Sequence, residues 1–183
     1  MELIVDDTNI LIDLANIGLA PFCRDMDLTF LTTDFVIHEL RDSRQFEIIR
    51  PLIEEGKLVE KHFEGKDVIE LTMLYQECHR TSNLTPADCS VMLLAQKERC
   101  RLLTNDQKLL RIARSRGITT NGLLWLTDLM VNDGVVLPMT MANSLQELLR
   151  TNMSAPREQI MERIEKYIRD INNFKNPLND IEL

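Results

Sequence analysis

Hydrophobic and polar positions follow two alternating periods along the chain. Short apolar runs typical of buried strands are separated by longer stretches in which apolar residues recur at helical spacing. The runs that favour strands are residues 2–5, 28–33, 57–63, 100–104 and 118–119. Because strands alternate with helices, the pattern predicts an α/β fold with a mainly parallel sheet that is covered on both faces.

The alternation stops near Pro138, and helical spacing alone continues after it. We therefore divide the chain into an α/β domain at residues 1–135 and a helical C-terminal extension at 136–172. The last segment, 173–183, has little periodicity and is predicted to be a flexible tail. Within the extension, an apolar stripe at helical spacing comprises Ile160, Ile164, Tyr167 and Ile171. The stripe suits either packing on the chain's own domain or binding in the groove of a partner.

Composition narrows the class of protein. The 183 residues are 44% hydrophobic and 27% charged, and no apolar run approaches the roughly 20 residues that a membrane span needs. The N-terminus starts acidic, without the basic segment of a secretory signal, so we expect a cytoplasmic protein without membrane contacts. A zinc site at Cys78, His79 and Cys89 is an alternative use of the cysteines, but the spacing matches no standard zinc pattern.

Acidic residues follow the predicted strands. Asp6 and Asp7 come after the first strand, and Asp106 comes directly after the strand at 100–104. Glu39 lies early in the helix after the second strand, and Asp88 lies in a first helical turn. In a parallel sheet, ligand sites lie beyond the carboxyl ends of the strands. Clustered carboxylates repel one another unless a cation lies between them, and Mg²⁺ or Mn²⁺ suits oxygen ligands.

Each of these acids also has a purely structural explanation. Thr85 and Asp88 frame a capping box, with Pro86 at the first helical position. Asp7 and Asp106 could cap the helices that follow them. Glu39 could be a solvated helix residue, so the sequence leaves both interpretations open.

Several segments together resemble a known family. They are "IVDDTNILIDL", "FVIHEL", "LTPADCSVMLLAQKERCRLLTNDQKLLRIAR" and "GITTNGLLWLTDLM". In order and spacing they resemble the PIN-domain ribonucleases, a fold shared with VapC-type toxins of bacterial toxin–antitoxin modules. The resemblance covers residues 1–135. It implies a PIN-like three-layer α/β/α sandwich with a central parallel sheet of about five strands, followed here by C-terminal helices.

The resemblance also assigns roles to individual residues. By position, the acids that hold Mg²⁺ or Mn²⁺ and act in catalysis would be Asp7, Glu39, Asp88 and Asp106. The residues that support the site would be Thr8, Asn9 and Thr104. Asp6 is not counted as a ligand, because strand alternation turns it away from the side to which Asp7 points.

Basic residues follow the last of these acids without an intervening acid, although the chain carries a net charge of −8. We expect RNA phosphates to contact residues of this patch, namely Lys108, Arg111 and Arg114, with Arg116 nearby and with Arg41 and Arg44 extending it past Glu39. A solvated helix face explains the same residues. No aromatic platform accompanies these cations in the sequence, so stacking on bases is not predicted.

The resulting hypothesis is a metal-dependent endoribonuclease that hydrolyses RNA phosphodiester bonds, with the toxin of a toxin–antitoxin module as its implied role. The implied partners are RNA, an antitoxin protein and a second copy of the chain. Two alternatives are a catalytically inactive PIN-like scaffold or RNA-binding module, and an unrelated phosphotransferase with an aspartate nucleophile. His38 is expected at the surface, and Trp125 in the core or at an interface.

Overall fold

A parallel sheet forms the centre of the molecule. The computed structural model describes residues 2–41 and 44–175, with the side chains of the last helix described as far as residue 170. Within this part of the chain the strands are β1 (Glu2–Asp6), β2 (Leu28–Thr33), β3 (Leu58–Lys61), β4 (Arg101–Leu103) and β5 (Thr120–Asn121). Their order is β3-β2-β1-β4-β5, and every neighbouring pair is parallel. The predicted sheet of about five parallel strands is confirmed, although β5 begins two residues later than predicted.

Helices connect the strands and continue after the sheet. They are α1 (Thr8–Asn16), α2 (Asp34–Leu40), α3 (Arg44–Glu54), α4 (Lys66–Ser82), α5 (Pro86–Glu98), α6 (Gln107–Ser115), α7 (Leu123–Asn132), α8 (Pro138–Thr151) and α9 (Arg157–Lys175). A 3₁₀ helix at Ala20–Asp25, which the sequence pattern did not predict, follows α1. Thr33 caps α2, because its hydroxyl accepts a hydrogen bond from the Val36 amide at 3.4 Å.

The direction of the chain across the sheet reverses after β3. It runs outward from β1 to β2 and β3, and then crosses back to β4 and β5. Right-handed crossovers therefore place α1 and α3 on one face and α5 and α6 on the other. Helix α5 packs on β1, β2 and β4 and buries most of its residues, while Ile4 and Leu102 are fully buried in the sheet. The two chain directions meet between β1 and β4.

The C-terminal helices pack on the α/β domain. Helix α8 contacts α1, α7 and α9. The Asp128 carboxylate of α7 accepts hydrogen bonds from the Arg163 guanidinium at 2.7 and 3.0 Å and from the Tyr167 hydroxyl at 2.8 Å. Ile160, Ile164 and Tyr167 are buried, so the described part of the apolar stripe packs on the chain's own domain.

Two sequence predictions concern the end of the chain. Helix α9 continues to Lys175, and the remainder of the predicted tail lies outside the described residues. The boundaries at 135 and 172 stay predictions. Among the helices described, none combines the length and the apolar character that crossing a membrane requires.

Candidate functional site

The candidate site lies where the direction of the sheet reverses, at the carboxyl ends of β1 and β4. Asp7 directly follows β1, and its amide donates a hydrogen bond to the Leu103 carbonyl of β4 at 3.2 Å. Asp106 follows β4 by three residues. This crevice is the position at which open α/β sheets bind ligands.

Asp7 is buried and is held by two hydrogen bonds. It caps α1, because Oδ1 accepts a hydrogen bond from the Ile10 amide at 2.9 Å. Oδ2 accepts a hydrogen bond from the Thr104 hydroxyl, which reaches it from beyond β4. The side chain has little freedom, since Asp7 is only 2% exposed.

The environment of Asp7 favours its protonated form. Burial raises its pKa from 3.8 to about 7, against the opposing effect of its hydrogen bonds from Thr104 and Ile10. The negative charges of Asp88 and Asp106 raise it further. These three carboxylates therefore lie close enough to repel one another.

Asp88 reaches the same region from the first turn of α5. The capping box is complete: Oδ2 of Asp88 accepts a hydrogen bond from the Thr85 amide at 2.8 Å, and the Asp88 amide donates to Oγ1 of Thr85 at 3.1 Å. Burial raises the pKa of Asp88, and the charge of Asp106 adds to that effect, whereas Lys108 lowers it. The carboxyl group is thus both a helix cap and a member of the acidic cluster.

Asp106 caps α6 and is joined to Asp7 through Thr104. Its Oδ1 accepts hydrogen bonds from the Lys108 amide at 2.7 Å and the Leu109 amide at 2.8 Å. Its amide donates to Oγ1 of Thr104 at 3.0 Å. The predicted supporting position Thr104 is therefore fully buried between two of the acids.

The amino ends of three helices meet at this cluster. Asp7 and Asp106 are the caps of α1 and α6, and Asp88 lies in the first turn of α5. The positive ends of the helix dipoles stabilise carboxylates placed there. Capping and clustering thus occur together, and the structural explanation of each acid does not exclude a common site.

Glu39 lies on the exposed side of the cluster. The Thr8 hydroxyl donates a hydrogen bond to its Oε2 at 2.6 Å, which ties α2 to the first residue of α1. Of the two supporting residues predicted after Asp7, Thr8 makes this contact. Asn9 is exposed and lines a cleft together with Asn105, Asn152 and the acid Asp106.

The acids fit a divalent cation by their chemistry. Their donors are all oxygen, as Mg²⁺ and Mn²⁺ prefer, and mutual repulsion makes a cation favourable. Within the described residues, however, no group of three or more His, Cys, Asp or Glu side chains is gathered as a preformed metal cluster. Asp7, Asp88 and Asp106 affect one another through their charges, each from the amino end of its own helix. The zinc alternative has no such cluster either; Cys78 and Cys89 are buried, whereas His79 is exposed.

The basic residues divide between the two ends of α6. Lys108 and Arg111 are exposed, and the charge of Lys108 reaches Asp88. Arg114 lies about 12 Å further along the helix than Asp106, at 1.5 Å per residue, and its Nε donates to the Thr120 hydroxyl at 2.7 Å. Arg116 pairs with Glu77 at 2.7 Å. The structure therefore does not bring these last two cations to the acids.

The remaining predicted positions lie outside the acidic cluster. Arg41 and Arg44 are exposed, Arg41 lines a groove together with Glu39, and His38 is exposed as predicted. Trp125 is half-buried against the core, with the Arg101 guanidinium 4.6 Å from its ring centroid.

Two features of the site were missed by sequence reasoning. Asp6 is 1% exposed, and neither carboxyl oxygen has a hydrogen-bond partner among the described residues. Burial, and then the charge of Asp7, raise its pKa well above the ordinary value. Asp6 also raises the pKa of the Cys23 thiol, next after burial, and so lies near the 3₁₀ helix. Asn105 is the second feature: its Oδ1 accepts from the Leu123 amide at 3.1 Å, and a Cβ at Gly122 would approach it to 2.6 Å.

Solved structures similar to this chain have low sequence identity. VapBC2 from Rickettsia felis, bound to a promoter DNA fragment, is 19% identical over 66% of this chain and 98% of its own, with a TM-score of 0.47. PAE2754 from Pyrobaculum aerophilum is 22% identical over 69% and 93%, with a TM-score of 0.44. FitAcB from Neisseria gonorrhoeae is 14% identical over 64% and 95%, with a TM-score of 0.41. No curated protein matches the chain.

A family model settles the classification. The model of the PIN-domain family DUF3368 matches residues 3–168, which includes the α/β domain, α8 and most of α9. The resemblance seen in the sequence segments is thereby confirmed. The chain belongs to the PIN-domain family, whose members are generally ribonucleases.

Proposed function

We propose that this protein is a Mg²⁺- or Mn²⁺-dependent endoribonuclease whose site is the acidic cluster at the carboxyl ends of β1 and β4. One observation carries the proposal. The Thr104 hydroxyl contacts both the Asp7 carboxylate and the Asp106 amide, which brings two of the capping acids to the same crevice, and the charge of Asp88 also raises the pKa of Asp7. Family membership supports the same reading.

Each residue of the site would have its own role. Asp7, Asp88 and Asp106 would hold the ion, directly or through water. Thr104 would fix the positions of Asp7 and Asp106 relative to each other. A bound divalent ion would supply a water of lowered pKa and stabilise charge on the phosphoryl oxygens. Glu39, which is exposed and accepts a hydrogen bond from Thr8, would orient the attacking water and accept its proton.

RNA would be held by cations that border the acids. Lys108 and Arg111 lie on the exposed first turns of α6, and Arg41 and Arg44 lie past Glu39. Contacts from these side chains to phosphates would position the strand without reading its sequence. Arg114, bonded to Thr120 at the far end of α6, is left out of this role.

Calorimetric titration with Mn²⁺ tests the proposed site. Wild type should bind, and Asp88→Asn should bind at least about tenfold more weakly, since asparagine keeps the cap but removes a charge. Asp67→Asn is the matched control, because Asp67 is a first-turn acid of α4 whose carboxylate pairs with Lys97 instead. The control should bind as wild type does. If wild type binds no Mn²⁺ at millimolar concentration while remaining folded, the acids are helix caps only.

RNA cleavage by the same three proteins then separates the two classes of function. A ribonuclease should require added Mn²⁺ or Mg²⁺, and Asp88→Asn should lose cleavage while Asp67→Asn retains it. Binding of Mn²⁺ without cleavage of any RNA would favour the inactive scaffold or RNA-binding module. The toxin role, the antitoxin partner and the homodimer stay predictions, for which growth arrest on expression and its dependence on Asp106 are the direct measurements.

A further inference from the structure

A groove of about 480 Å³ lies beside the acidic cluster, on the side of Glu39. Helix α2, the segment after β3 and the first turn of α5 form its walls. We call it the Phe35 groove and define it by the residues that line it, which are Asp34, Phe35, His38, Glu39, Arg41, Glu60, His62, Pro86 and Ala87. Its size is within the range of pockets that hold small molecules or single residues of a polymer.

The walls combine aromatic rings with one cation, Arg41, and three carboxylates, those of Asp34, Glu39 and Glu60. Phe35 is a large apolar side chain that remains 36% exposed, although it stands in the first turn of a well-formed helix. His38 and His62 add two imidazoles to the same groove. Flat rings of this kind stack on nucleobases irrespective of their identity, because every base has a π-face.

His62 is 61% exposed and lies near two carboxylates of the groove. Its Nδ1 lies 3.4 Å from the Asp34 carboxylate, and its Nε2 lies 3.6 Å from the Glu60 carboxylate. The ring therefore lies between two acids, one at the start of α2 and one on β3, and most of its surface is open to a ligand.

Arg41 supplies the positive charge at the rim. The guanidinium is exposed, and among the described residues no acid pairs with it. A cation without an acidic partner is available to a phosphate, or to the face of a base. The groove thus offers ring surface and charge together, which are the two elements of single-strand recognition.

We propose that the Phe35 groove binds a nucleobase of single-stranded RNA, next to the phosphodiester bond that the acids cleave. The inference rests on the proposed ribonuclease function and adds a base-binding subsite to it. Glu39 carries the connection, because it lines the groove and is also joined to the acid-bearing α1 through Thr8. A base in a duplex is stacked and paired, and so cannot enter; single strands should therefore be the substrate.

Affinity for RNA is the first measurement, made in EDTA so that nothing is cleaved. The probe is a short fluorescent single-stranded RNA of mixed sequence, compared with an abasic oligomer of equal length. Phe35→Leu should weaken RNA binding by at least about fivefold, because it removes the ring but keeps an apolar side chain, whereas Phe35→Tyr should bind as wild type. Ile168→Ala is the control, since Ile168 has a similar exposure of 38% on α9. The abasic oligomer should bind equally weakly to all four proteins.

Cleavage is the second measurement, with Mn²⁺ present. Wild type should cut the single-stranded RNA and leave the same sequence intact when a complementary strand covers it, and Phe35→Leu should lower kcat/KM for the single strand about fivefold. Equal cutting of duplex and single strand, or unchanged binding by Phe35→Leu, would overturn the proposal that the groove binds a base. The proposed ribonuclease function would still stand. If wild type cuts nothing, the proposed function fails. Ring-dependent binding of the single strand would then still support the groove, and its absence would overturn it.

Discussion

The Thr104 hydroxyl donates a hydrogen bond to Oδ2 of Asp7, although the two residues are 97 positions apart. The hydroxyl oxygen of Thr104 also accepts a hydrogen bond from the Asp106 amide at 3.0 Å. One buried hydroxyl therefore joins the end of β1 to the cap of α6. The relative placement of two acids of the candidate site depends on it.

Thr104→Val tests this link. The side chains have nearly the same shape, but valine leaves the Asp106 amide without its acceptor and Asp7 without one of its two donors. We expect the free energy of unfolding, measured with urea, to fall by about 1–3 kcal/mol. Thr104→Ser retains the hydroxyl and should lose less. Equal losses in the two variants would show that the methyl group, and not the hydrogen bonds, stabilises this position.

Metal-free protein should lose stability as the pH rises. Because the pKa of Asp7 is raised from 3.8 to about 7 in the folded chain, the folded state holds a proton that the unfolded state has released. The contribution of Asp7 is complete below about pH 4 and is lost as the pH rises through about 7, a change of about 4 kcal/mol. Urea titrations in EDTA across this window should show the decline.

Asp7→Asn is the matched variant for that experiment, since asparagine can cap α1 without titrating. Its stability should depend less steeply on pH than that of wild type. Some dependence should remain, because burial also raises the pKa of Asp6, Asp13 and Asp88. Parallel curves for the two proteins would contradict the assignment to Asp7.

Asp6 should be a site where substitution stabilises the metal-free protein. Its carboxyl oxygens have no hydrogen-bond partner among the described residues, and burying such a group is unfavourable. Asp6→Val keeps a similar volume at the end of a strand and should raise the free energy of unfolding above pH 7 by about 1 kcal/mol or more. Glu2→Val, at the exposed start of β1, should change it by less than about 0.5 kcal/mol. A loss of stability in Asp6→Val would mean that the carboxyl group is needed in the fold.

Asn152 should fasten the C-terminal extension to the α/β domain. Its Nδ2 lies 3.1 Å from both carboxylate oxygens of Asp13, which is 4% exposed. Asn152→Ala should lower the free energy of unfolding by about 1–3 kcal/mol and speed proteolysis between α8 and α9. The neighbouring Met153 is 93% exposed, and Met153→Ala should have neither effect. If Asn152→Ala and Met153→Ala had the same stability and the same rate of proteolysis, Asn152 would not fasten the extension to the domain.

The predictions that held were those governed by short distances along the chain. The capping box of Thr85 and Asp88 was read from four consecutive residues, and both of its hydrogen bonds are present. The caps at Asp7 and Asp106 follow the same local rule. The parallel sheet followed from the alternation of strands and helices, and its direction change then brought the acids together.

The features that were missed depend on contacts between distant segments. Whether Asp6 finds a partner depends on the 3₁₀ helix around Cys23, whose six residues are too few to show a period. Arg114 lies far from the acids because it is near the end of α6, where its side chain donates a hydrogen bond to Thr120. Phe35 and His62 share a groove only because β2 and β3 pair, and no spacing within either segment indicates it.

The double duty of the capping aspartates has an evolutionary consequence. Alanine at position 7, 88 or 106 would remove both a charge and a helix cap, and the cost in stability would be selected against even where cleavage was no longer needed. Asparagine would remove the charge alone. Members of this family that have lost RNA cleavage are therefore expected to carry asparagine at these positions. An aspartate-to-asparagine substitution there would identify inactive members from sequence.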